Sequence, residues 1–146
     1  MKRICLSIDQ MRKLKELGAQ TKDASMCWVR DLEGNYYPTL HDESCYEMAF
    51  MNPAPAFTLQ DVLDKLPKRF QFKTDGNCGR YCDLEIQKLF SGWNIMYTEL
   101  GYDVVYSIES ESLLDGSFNM LVWLADHGYL KDGNVQKGTR RTRLVK

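Results

Sequence analysis

Two cysteines four residues apart, Cys78 and Cys82 in the stretch NCGRYC, have the types best suited to a metal or redox centre. A zinc ion would need both sulfurs within about 2.3 Å and two further ligands. The spacing opposes this. On a strand rising about 3.3 Å per residue the two Cα atoms lie roughly 13 Å apart, and Cys82 belongs to an alternating strand, so only a tight turn at Gly79 would fold Cys78 back. No second paired motif supplies the missing ligands, because Cys5, Cys27, Cys45, His41 and His127 each stand alone. The C-x3-C spacing also differs from the C-x2-C of zinc ribbons and redox motifs. The iron–sulfur pattern of radical enzymes would require a cysteine where Glu85 stands. The expectation is therefore a chain without metal or cofactor, in which Cys82 fills the core and Cys78 sits at a turn.

The other candidates are weaker. His41 and Cys45 in HDESCYE are the ingredients of a thiolate–imidazole pair, but no helical period brings them together and no oxyanion glycines can be assigned to the segment. His127 falls at the end of a helix, where a cation suits the dipole. Glu109, Glu111 and Asp115 cluster at a helix start, and the same dipole accounts for them. Nucleotide-binding, hydrolase and metalloprotease motifs are missing from the sequence, so no catalytic residue is assigned and a non-enzymatic role is favoured.

Aromatic residues, 12% of the chain, are the most suggestive group. Trp93 and Tyr97 share one strand face and Tyr102 and Tyr106 another. With Lys137, Arg140, Arg141 and Arg143 to hold phosphate, they outline a single-stranded nucleic-acid platform. Ile95, Val104 and Ile108 alternate in phase with these rings, however, and packing beneath helices is the simpler reading.

These residues must be carried by recognisable elements. Ser7 and Gln10 have capping-box spacing ahead of Met11, Leu14 and Leu17, and Gly18 stands at the helix end. SMCWVRDLEGNYYPTL reads as a hairpin turning at Glu33-Gly34-Asn35. His41 to Phe57 shows no period and carries Pro53 and Pro55, which predicts a long loop. A second helix starts at Thr58, three residues ahead of Asp61 in a capping arrangement, and stops before Pro67. RFQFKT, RYCDLEIQ, WNIMYTE and YDVVYSIE predict an antiparallel meander, with Cys82, Leu84 and Ile86 on one face of their strand. The last helix, capped by Ser110 or Ser112 and closed at Gly128, turns Leu114, Phe118, Leu121, Val122 and Ala125 inward. The predicted fold is α+β, an antiparallel sheet with two or three amphipathic helices on one face. It forms a single domain over residues 1–130, followed by a basic, flexible tail over 131–146.

At 146 residues, 44% hydrophobic and 27% charged, the chain is long enough to bury a core without staples. Five scattered cysteines and a charged start without a secretory pattern point to reduced thiols inside a cell. No apolar run approaches a membrane span. The net charge of −1 divides into +5 over residues 131–146 and −6 over the rest.

SESLLDGSFNMLVWLADHGYL, FTLQDVLDKLP and SIDQMRKLKELGAQTKDASMCW together resemble small uncharacterised proteins encoded by bacteriophages and prophages of gut bacteria. The resemblance covers most of residues 4–130, carries over no site residue, and implies a location in the cytoplasm of a bacterial host and an accessory role. The expectation is a non-catalytic interaction protein with a protein partner, or self-association through an uncovered strand edge. Nucleic-acid binding and a thiol- or metal-dependent enzyme are the alternatives.

Overall fold

The computed structural model describes residues 3–40, 54–72 and 80–130. They form two compact units divided between Asp64 and Lys65, each built on its own antiparallel sheet. The class is α+β, with three helices and seven strands among the described residues. The hairpin and the meander form separate sheets rather than one.

In the first unit, α1 (Ile8–Glu16) starts where the capping box places it. The Ser7 hydroxyl accepts from the Gln10 amide at 3.1 Å, and the Gln10 side chain accepts from the Ser7 amide at 2.9 Å. Its far end is closed by bonds from Gly18 to Lys15 and from Ala19 to Leu14, with Gly18 at φ 91°. This is a Schellman motif. Met11 and Leu14 are buried, and the helix packs against β3 (Ala54–Ala56). Strands β1 (Met26–Arg30) and β2 (Tyr36–Leu40) make the expected hairpin, and the Asp31 carboxylate accepts from the amides of Glu33 and Asn35 to hold its turn. β3 lies in the stretch read as a loop. It pairs with the other side of β1, placing Cys27 between Thr39 and Pro55. Three residues offer no alternation to read, and proline, which lacks an amide proton, is tolerated because β3 is at the edge. Next, α2 (Leu59–Lys65) is capped reciprocally: Asp61 accepts from the Thr58 amide at 2.9 Å and the Thr58 hydroxyl accepts from the Asp61 amide at 3.2 Å.

The second unit is the meander β4 (Arg69–Phe72), β5 (Arg80–Leu89), β6 (Gly92–Glu99) and β7 (Asp103–Ser110), in sheet order, followed by α3 (Leu113–Asp126). The register lines up Phe70 with Cys82, Leu84 with Tyr97 and Tyr106, and Ile86 with Ile95 and Ile108, so these residues share one face. α3 packs on β6 and β7 over that face. Its approach is close: a Cβ on Gly116 would fall 2.6 Å from Ile95 Cδ1 and 2.9 Å from Ser110 Cβ. Ser112 caps the helix at 3.1 Å from the Asp115 amide, while the Ser110 hydroxyl accepts from Ser112 instead. Leu114, Phe118, Leu121 and Ala125 are buried as expected. Met120 and Leu124 are buried too, whereas Val122 is only half-buried, so the covered sector is wider and rotated from a single stripe.

Candidate functional site

Of the residues grouped as a metal centre or a nucleic-acid platform, the structure describes Cys82, Trp93, Tyr97, Tyr102 and Tyr106. Cys82 is fully buried, and its thiol donates to the Phe70 carbonyl at 3.6 Å. Burial first, and the Asp83 carboxylate second, push that thiol up to about 12. Cys78, His41 and Cys45 lie outside the described residues, as do Lys137, Arg140, Arg141 and Arg143. Among the described residues no group of three or more histidine, cysteine or acidic side chains could hold a metal ion.

The four rings of the platform reading go to four different environments. Tyr97 is buried, edge-on to Phe70 at 4.8 Å, with its hydroxyl donating to the Pro67 carbonyl at 2.7 Å. Burial, and then the neighbouring Cys82, push its phenol well above the ordinary range. Tyr106 stacks on Trp123 at 4.2 Å and 7°, and Trp123 in turn stacks on His127 at 4.6 Å. The His127 Nδ1 lies 2.9 Å from the Trp123 carbonyl, which can only accept, so that nitrogen carries the proton. Trp93 is half-buried under the Lys88 ammonium, 4.5 Å from its ring centre. Only Tyr102 is largely exposed, at 72%.

Tyr102 belongs to a different group, one that composition could not reveal. Leu100 and Gly101 both have positive φ, 57° and 81°, and the Tyr102 amide donates to the Glu99 carbonyl at 3.3 Å. Positive φ at two successive positions is the mark of a primed hairpin turn, which favours asparagine, aspartate or glycine. A leucine there is strained by about 1–2 kcal/mol. It is also 74% exposed, beside Tyr102 and with Val104 at 56% on the same hairpin. The β6–β7 end of the second unit therefore presents three large apolar side chains to solvent, one held in a backbone conformation its type disfavours.

This hairpin leads into β7, the outer strand of its sheet. Among the described residues nothing pairs with its outer edge. The other outer strands are blunted: β2 contains Pro38, β3 contains Pro55, and β4 is four residues long and carries Arg69. β7 runs for eight residues with neither proline nor a basic side chain. A register shift between Tyr97 and Thr98 disturbs only the hairpin end of its ladder with β6. The signal for this site in the sequence was the Leu-Gly pair at a turn, but its meaning depends on knowing which strand lies outermost.

Among the described residues, the fold and this surface define an α+β protein with an unpaired, apolar-tipped sheet edge. No protein-family model matches the chain, and neither does any curated protein or solved structure. Among the described residues no helix is long and apolar enough to cross a membrane.

Proposed function

We propose that this chain is a non-catalytic interaction protein whose contact surface is the β6–β7 hairpin end together with β7. The observation that carries the reading is Leu100: strained at φ 57° and 74% exposed, it is retained where asparagine would be both more stable and more soluble. Residues kept against stability are expected where function requires them. The resemblance to phage and prophage proteins supports an accessory role in the cytoplasm of a bacterial host. The described thiols, Cys5, Cys27 and Cys82, are buried, which suits the structural role this reading gives them.

The test is co-purification from the native host with Leu100→Asn and Val104→Lys variants, set against Leu32→Asn, which alters an exposed leucine in the other unit. The reading expects a defined protein that stays with the wild type and Leu32→Asn and is lost from the two hairpin variants. Equal retention by all four chains would sink it.

A further inference from the structure

The partner's chemistry follows from charge at the same site, and the inference rests on the reading above. Between Lys88 and Lys131 the sequence contains six carboxylates, Glu99, Asp103, Glu109, Glu111, Asp115 and Asp126, and no lysine or arginine. Glu99 is met by Arg80 at 3.1 Å. Asp103 and Glu109 lie at the two ends of β7, exposed, and Glu111 follows directly. The one long unblunted edge among the described residues is thus also an acidic one.

We infer that the outer edge of β7 takes an extended, lysine- or arginine-rich segment of a partner protein, which adds as a fifth strand. Backbone groups of β7 would supply the ladder bonds that any strand can make. Asp103, Glu109 and Glu111 would select for basic side chains, and Leu100, Tyr102 and Val104 would take an apolar residue where the segment passes the hairpin. A second copy of this chain fits poorly. Its own β7 brings Asp103 and Glu109 and no basic side chain to the contact, so pairing two such edges gathers acid beside acid, and like charges brought close repel.

The experiment uses the full chain and a short synthetic peptide alternating lysine with threonine and valine, with a glutamate-for-lysine peptide as control. The lysine peptide is expected to bind, to weaken about tenfold from low to physiological salt, and to slow amide hydrogen exchange in β7 but not in β2 or β4. Asp103→Lys with Glu109→Lys should weaken it by at least about tenfold. If that variant fails to fold, the glutamate peptide on the wild type makes the same comparison. Equal binding of the two peptides, protection elsewhere than β7, or chains that pair through β7 while ignoring the peptide would each overturn the inference. None of these results touches the Leu100→Asn co-purification contrast, so the broader reading can survive this one's failure.

Discussion

Asp61 ties two parts of the first unit together through one side chain. Its carboxylate accepts from the Ser25 amide at 2.8 Å, the Ser25 hydroxyl at 2.6 Å and the Thr58 amide at 2.9 Å. Burial alone would raise its pKa, but these hydrogen bonds outweigh burial and hold it below the ordinary aspartate value. Because the folded group ionises below the unfolded one, the stabilisation is complete above about pH 3.9 and disappears as pH falls through the folded value. Asp61→Asn should cost about 1–2 kcal/mol at neutral pH, and denaturant midpoints of the two proteins should converge in strong acid. The Thr58-to-Asp61 spacing was readable as a cap, but the bond to Ser25, thirty-six residues away, was not. Cys82 makes the opposite kind of prediction. A thiol pushed up to about 12 is almost entirely protonated at pH 8, so mass-mapped labelling should modify it only after unfolding. Rapid labelling of the native protein at Cys82 would contradict the packing role.

At the scale of elements, α3 shows propensity and packing pulling in opposite directions. Alanine is the better helix former by about 1 kcal/mol, so propensity alone predicts that Gly116→Ala stabilises. The Cβ it adds would meet the fully buried Ile95 at Cδ1, 2.6 Å away, and Ser110 Cβ at 2.9 Å, close beneath the helix. Overpacking of that kind costs about 1–3 kcal/mol, which outweighs the gain in propensity, and the net effect expected from thermal or urea unfolding is destabilisation by up to about 2 kcal/mol. Helix ends were the most legible features of the sequence, because a cap is decided within a few residues: Ser7 with Gln10, Thr58 with Asp61, Ser112 before α3 and Gly18 after α1. β3 was illegible for the converse reason. A three-residue edge strand exists through its pairing with β1, and nothing local to Ala-Pro-Ala announces that pairing.

For the molecule as a whole, the alternation in β5, β6 and β7 was enough to give an antiparallel meander, and rings in phase with Ile95 indicated a packed face. Which strand is outermost is a property of the assembled sheet, and so the exposed group of Leu100, Tyr102 and Val104 is not legible from residue type alone. Leu100→Asn should raise stability by about 0.5–1 kcal/mol by relieving the left-handed strain, measured by urea unfolding; a loss would mean that Leu100 packs against its neighbours in a way its exposure does not show. One further consequence follows from Trp123, layered between Tyr106 and His127 in the second unit, while Trp28 donates its indole proton to the Leu6 carbonyl in the first, at 2.8 Å. Each half of the chain carries its own fluorophore in a distinct setting, so emission from variants retaining a single indole would time the loss of structure in each half separately.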